Sequence, residues 1–324
     1  MAPDPGRIPV SLLTGFLGSG KTTLLNRLLR LPELGDTAII VNEFGAIGID
    51  HLLVERASVE PVLLENGCLC CNARGELAAA LDGLRRRRAR GGIAAFRRIV
   101  VETTGVATPA PILEALRAPD LARDFELTGI VTTIDGLCGA GTLDRYEEAR
   151  RQAAIADRLV ITKTDVAGVD SAGLATRLRA LNPAAPIDEA SAMMLRPEIL
   201  FGVGPDRACG EADGGEGHGH EGIETFCLVR DRPIAWDGFR VWLSVLAALC
   251  GERLLRVKGF VAVAETPERP FLVEGVQHVF AAPVQLPAWP SEDHRTRLVF
   301  VTEGLPREAI SDTMDVWSDF SVDA

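Results

Sequence analysis

The sequence predicts an α/β protein: a mainly parallel sheet with helices on both faces, joined to a smaller α+β unit. Three observations carry this. Short apolar runs alternate with stretches of helical periodicity through the first two hundred residues. The glycine-rich string Gly15-Phe16-Leu17-Gly18-Ser19-Gly20-Lys21-Thr22 joins the first such run to the first such helix. From Gly204 to Gly222 the composition turns to Gly, Asp and Glu with almost nothing apolar, which marks a break between domains.

Ile8 to Thr14 reads as the first buried strand, and Thr22 to Leu31, with leucines at helical spacing, as the helix after it. Further strands are expected at Thr37 to Val41, Val59 to Leu64, Arg98 to Val101, Gly129 to Ile134 and Arg158 to Ile161. Helices are expected at Arg74 to Arg88, Pro111 to Arg117, Tyr146 to Ala156 and Ser171 to Leu181. Such alternation places ligands at the carboxyl ends of the strands. After the break, strands are expected at Ile223 to Val229, Leu254 to Ala264, Phe271 to Val273, Val276 to Val284 and Arg297 to Thr302, around a helix at Phe239 to Leu249. The resulting division is a nucleotide-binding domain over 1–203, a flexible linker containing Gly and His over 204–222, an α+β domain over 223–310 and a fraying acidic tail over 311–324.

At 324 residues and 47% hydrophobic, the chain can bury a substantial core. Its net charge of -11 argues against nonspecific nucleic-acid binding. The run Arg85-Arg86-Arg87-Arg88-Ala89-Arg90 is a local exception, read as cations at a helix end that complement its dipole, with an acidic partner or lipid surface as the alternative. No apolar stretch suits a membrane span and Met1 to Pro9 lacks a signal-peptide core, so a cytoplasmic protein is expected. Seven cysteines, three of them crowded together, fit a disulfide framework poorly and read as ligands, reactive thiols or core residues.

Glycines at 15, 18 and 20 let a backbone curl with its N–H groups pointing at phosphates, and the following helix aims its positive end at the same anion. Lys21 is expected to reach the β- and γ-phosphates and the Thr22 hydroxyl to ligate Mg²⁺, with Ser19 and Thr23 completing the nucleotide contacts. Arg98 to Val101 delivers Glu102-Thr103-Thr104-Gly105 to the same sheet edge. There Glu102 can hold a Mg²⁺-bound water and Gly105 can bring an N–H close to the γ-phosphate. Asn42-Glu43-Phe44-Gly45 ends another strand and leads through Gly48 to Asp50; either segment could reorder when the γ-phosphate leaves. Thr162-Lys163-Thr164-Asp165 ends a late strand. The Asp165 carboxylate can accept from the N1–H and exocyclic amine of guanine, a donor pair that adenine lacks, while Lys163 lays its stem along the base.

Cys68-Leu69-Cys70-Cys71 sets three thiols in four positions, an arrangement expected by chance about 0.01 times in a chain of this cysteine content. Cys68 and Cys71 are spaced to converge on one ion, with Cys70 adjacent, and thiolates favour Zn²⁺ or Cu(I), with Co²⁺ held more weakly. A buried structural cluster and a redox pair are the alternatives. His218 and His220, in the linker, offer either a transient metal contact or plain linker; His278 and His294 read as structural or surface residues.

The segments Gly15 to Thr22, Asn42 to Gly45, Gly67 to Cys71, Glu102 to Gly105, Thr162 to Asp165 and Leu255 to Gly259 together resemble the CobW-type metallochaperone GTPases, a metal-handling branch of the P-loop proteins. The resemblance implies a P-loop GTPase domain, a CobW-type C-terminal domain, slow GTP hydrolysis and the handling of zinc or cobalt for client metalloenzymes. Thr162 departs from the family, which usually has Asn there, and reads as a change in loop bracing, not a lost guanine preference. The expectation is a Mg²⁺-dependent GTPase cycling between GTP and GDP with Zn²⁺, or Co²⁺, on its cysteines. A metal-responsive regulatory protein with little turnover is the rival. Metal, client, general base and oligomeric state are not specified by these residues.

Overall fold

A computed structural model describes residues 6–42, 62–64, 73–91, 95–191, 195–201 and 222–318. The chain divides into two compact units, residues 1–176 with 185–204, and residues 177–184 with 205–324.

The first unit is built on a parallel seven-stranded sheet among the described residues. Its strands are β1 (Ile8–Gly15), β2 (Thr37–Asn42), β3 (Val62–Leu64), β4 (Arg98–Glu102), β5 (Phe125–Asp135), β6 (Arg158–Thr162) and β7 (Ile187–Glu189), in the order β3-β2-β4-β1-β5-β6-β7. The helices are α1 (Lys21–Leu28), α2 (Ala73–Ala89), α3 (Ala110–Arg117), α4 (Pro119–Ala122), α5 (Gly139–Arg145), α6 (Glu147–Ala154), α7 (Ser171–Leu181) and α8 (Glu198–Phe201). Successive strand residues point to opposite faces, and here both sets are buried. Leu13, Val41, Val100, Val131 and Val160 share one core with Leu24, Leu25 and Leu28 of α1 and Ile199 and Leu200 of α8. Their neighbours Leu12, Ile40, Val101, Ile130 and Leu159 are equally buried on the other face. This is why the strands read as continuous apolar runs.

Several elements differ from the sequence expectation. Strand β5 begins at Phe125 and not at Gly129, because Thr128 is accommodated as a bulge: Val10 pairs with Leu127 and Ser11 with Gly129. The Thr128 hydroxyl donates to the Val10 carbonyl at 3.1 Å. Helices α4, α5 and α8 and strand β7 were not anticipated, each being too short to show a clear period. The arginine run closes α2, with Arg85 paired to Asp82 and Asp124, Arg86 to Asp82, and Arg88 over the Phe96 ring at 5.2 Å.

The second unit comprises β8 (Ile223–Arg230), α9 (Trp236–Cys250), β9 (Leu254–Val261), β10 (Phe271–Val276), β11 (Val279–Phe280), β12 (Val284–Gln285), β13 (Thr296–Glu303) and α10 (Arg307–Ser318). The antiparallel order is β11-β10-β9-β13-β8, with β12 also on β10. Phe239, Trp242, Leu243 and Leu246, at helical spacing on α9, pack with Phe226, Leu228, Val257, Leu298 and Phe300 of the sheet.

The run Val276 to Val284, expected as one strand, is two short strands after a two-residue turn at Gln277 and His278, with Gln277 at φ +53°. The turn carries none of the Asn-Gly or Asp-Gly signals that announce such hairpins. The expected acidic tail from Ser311 is also corrected. Residues to Ser318 continue α10, whose Ile310 and Met314 enter the core while Asp312 and Asp315 face water. Trp242 Nε1 donates to Thr313 Oγ1 at 3.1 Å and fastens α10 to α9. Among the described residues, Cys138 and Cys250 are free thiols.

No helix among the described residues is long and apolar enough to cross a membrane.

Candidate nucleotide site

The carboxyl ends of β4, β1, β5 and β6 lie side by side, and the expected phosphate loop rises from the second of them. Gly15, Gly18 and Gly20 all have positive φ, at 141°, 73° and 87°. At Gly15 a Cβ would fall 2.5 Å from the carbonyl oxygen of Thr133, so no side chain fits where β1 turns into the loop. Helix α1 starts at Lys21 with no side-chain cap and no acidic residue in its first turn, leaving its N–H groups and positive end for an anion.

Lys21 is 9% exposed, and its Nζ donates to the carbonyls of Gly15 at 2.9 Å and Phe16 at 3.2 Å. The ammonium thus curls back over the loop, preorganised beside the site expected for phosphate. Thr22 Oγ1 donates to Glu102 Oε1 at 2.5 Å, joining the first turn of α1 to the end of β4. Glu102 is buried; Thr23 is exposed on the same turn of α1. Gly105 sits against the loop so closely that a Cβ would lie 2.6 Å from the Leu17 nitrogen.

Of the residues expected to select guanine, Thr162 and Lys163 contact the loop. Thr162 Oγ1 donates to the Ser19 carbonyl at 2.7 Å and the Ile134 carbonyl at 3.2 Å. Lys163, in a left-handed conformation at φ +55°, donates from Nζ to the Gly18 carbonyl at 2.9 Å and pairs with Asp135 at 2.6 Å. Asp165 is exposed, two residues beyond.

Several supporting residues were not anticipated. Beneath the loop, Ser19 Oγ meets Thr133 Oγ1 at 2.7 Å, and Thr103 Oγ1 donates to Thr14 Oγ1 at 2.9 Å. The available signal was positional: Thr14, Thr133 and Thr162 each stand at the carboxyl end of a strand and Thr103 directly follows one. Asp135, at the end of β5, accepts from the N–H groups of Leu137 and Cys138 as well as from Lys163. Burial opposes its ionisation, yet the Lys163 ammonium and those two N–H groups outweigh it and hold the carboxyl below the usual carboxylate range. Gln152 of α6 is another, donating to the carbonyls of Gly105 and Ala107.

Cys68, Cys70 and Cys71, with Glu43, Asp50, His218 and His220, lie outside the described residues. Among the described residues, no group of three or more His, Cys, Asp or Glu side chains is placed to hold a metal.

A glycine loop between a central parallel strand and a helix, with a lysine folded over it, a Thr–Glu pair beside it and a Thr-Lys-Thr-Asp segment braced against it, defines a P-loop GTPase. The chain belongs to the CobW/HypB/UreG family: the model of that nucleotide-binding domain matches residues 9–189, and that of the cobalamin synthesis protein cobW C-terminal domain matches residues 223–316. It is similar to the zinc chaperone YjiA of Escherichia coli, 31% identical over 310 residues that cover 94% of this chain and 96% of that protein. The zinc chaperone CobW of Pseudomonas aeruginosa is 30% identical over 349 residues, covering 95% and 91%. The crystal structure of zinc-bound YjiA GTPase from Escherichia coli superposes with a TM-score of 0.73 at 26% identity, covering 96% of this chain and 99% of that one.

Proposed function

We propose that this protein hydrolyses GTP to GDP and phosphate while carrying Zn²⁺, or with lower preference Co²⁺, on Cys68, Cys70 and Cys71, and hands the ion to a client metalloprotein. The observation that carries the GTPase part is the 2.5 Å pairing of Thr22 with Glu102 directly beside Lys21. The relatives named zinc chaperones, together with the three crowded thiols, support the cargo.

A hydroxyl and a carboxylate brought together in this way fit a hard divalent cation, so Thr22 would hold Mg²⁺ directly and Glu102 through a bound water. Mg²⁺, when bound, neutralises charge on the phosphates. Lys21 and the N–H groups at the start of α1 bind the phosphate oxygens and stabilise the charge that develops on them. The Gly105 N–H meets the γ-phosphate, and Asp165 selects guanine while Lys163 supports the base. Three thiolates leave one tetrahedral position open, which suits an ion that must be passed on. The segment from Asn42 to Cys71 links the two sites in the chain, so GTP loading tightens metal binding and hydrolysis releases the ion.

The test is competition for Zn²⁺ against a calibrated chelator, with and without a non-hydrolysable GTP analogue, in the natural protein and in a Cys70→Ser, Cys71→Ser double variant. One equivalent of zinc lost in the double variant, and an affinity that rises with the analogue, are expected. Unchanged stoichiometry in the double variant would refute the site, and equal affinity in the apo, GTP and GDP forms would refute the coupling. Turnover no faster than that of Lys21→Ala would refute the enzyme.

A further inference from the structure

Gln152 is a buried amide on a helix face otherwise lined by alanines, and its partners are the last residue of the segment expected to sense the γ-phosphate, Gly105, and Ala107 just after it. It is 2% exposed, between Ala149 and Ala153 of α6. Its Nε2 donates to the carbonyls of Gly105 at 3.1 Å and Ala107 at 3.2 Å, and its own main-chain carbonyl accepts from Thr132 Oγ1 of β5 at 2.9 Å. A carboxamide placed there for packing alone would be a costly choice, because burying it without partners is unfavourable and an apolar side chain fills the same volume.

The same helix touches the phosphate loop at its other end. Tyr146, which caps α6, stacks on Phe16 with ring centroids 4.5 Å apart. Helix α6 therefore holds the phosphate loop through one aromatic contact and the Glu102–Gly105 segment through one amide, and Gly105 in turn packs on Leu17. Two hydrogen bonds from a single side chain set where the backbone just after Gly105 can lie.

We propose that Gln152 is a positioning residue for GTP hydrolysis, holding the segment after Glu102 against the phosphate loop so that the Gly105 N–H is directed at the γ-phosphate and not at GDP. The inference rests on the GTPase reading above. Its signature is a split between chemistry and nucleotide retention: the γ-phosphate contact depends on Gln152, whereas the contacts of Lys21 and α1 with the remaining phosphates do not.

The experiment compares the full chain with its Gln152→Met variant, which keeps the length and loses the donor. Steady-state turnover, affinity for GDP, affinity for a non-hydrolysable GTP analogue, and melting temperature are measured, with Lys21→Ala as background. Expected are a kcat about tenfold lower, corresponding to about 1.4 kcal/mol, GDP affinity within about twofold, and a preference for the analogue over GDP reduced about fivefold, with KM for GTP rising in step with the weaker analogue binding. An unchanged kcat and analogue preference, or a parallel loss of kcat, GDP affinity and melting temperature, would overturn the proposal. Should the methionine variant not fold, Gln152→Asn, which shortens the reach by one methylene, is expected to give the same split. A Gln152→Asn variant with natural turnover, or one that also fails to fold, would overturn it. Natural protein that turns over no faster than Lys21→Ala identifies failure of the GTPase reading itself, whereas normal natural turnover with an unaffected variant identifies failure of Gln152 alone.

Discussion

Thr162 donates its hydroxyl to the main-chain carbonyl of Ser19 across 2.7 Å, tying the end of β6 to the phosphate loop. Thr162 is thus a brace in the wall of the site. Thr162→Val removes the donor at nearly constant shape and leaves a buried carbonyl with less to bond. A stability loss of about 1–2 kcal/mol in denaturant unfolding is expected, with GTP and GDP affinities falling together. A selective loss of guanine over hypoxanthine nucleotides, with stability intact, would contradict this role.

Glu102→Gln keeps the hydrogen-bonding shape beside Thr22 and removes the charge. GDP binding without Mg²⁺ should stay within about threefold, while turnover falls about tenfold and the Mg²⁺ concentration for half-maximal activity rises. Titration of Mg²⁺ against turnover checks it; an unaltered midpoint would remove Glu102 from the cation site.

In the second unit, Gly259→Ala would put a Cβ 1.9 Å from the carbonyl oxygen of Arg297 on the neighbouring strand β13. Neither atom sits on a flexible side chain, so β9 and β13 must separate. The expected cost is about 3 kcal/mol or more, read as a fall in the unfolding midpoint. A variant that melts like the natural protein would show that the strands can part freely.

Asp293 provides a pH signature. The side-chain hydrogen bond from Arg295 outweighs partial burial and, with the Arg295 N–H and the Arg297 charge, brings its pKa from an ordinary 3.8 down to about 2. The folded-state value is depressed, so the associated stability is fully present above the unfolded value and is lost as pH falls from about 3.8 towards about 2. Thermal melts of the natural protein and Asp293→Asn should therefore differ above pH 4 and converge near pH 2. A gap that widens on acidification would reverse the sign.

The glycines of the phosphate loop, the strands beneath it and the segments at their carboxyl ends were legible because each is a local signal: a run, a spacing, a turn residue. The network that holds them was not, because it joins residues far apart in the chain. Ser19 with Thr133, Lys163 with Asp135 and Gln152 with Gly105 acquire partners only when β4, β1, β5 and β6 lie side by side. Gln152 did leave a trace, a polar residue on the alanine-lined face of α6. The β10–β11 turn lacked its usual residues, and α10 was masked by acidic side chains that face outward while Ile310 and Met314 carry the packing.

The strand order also sets a timetable for synthesis. Because β1 is made first but is flanked by β4 and β5, and Ser19 is secured by Thr162 of β6, a ribosome-bound chain has its whole glycine loop long before anything can steady it. Domains tend to fold as units as they emerge. Grip on nucleotide should accordingly arrive late and abruptly, once β6 has left the exit tunnel, and a translation product that ends before residue 162 is expected to carry the complete phosphate-loop sequence yet retain no nucleotide.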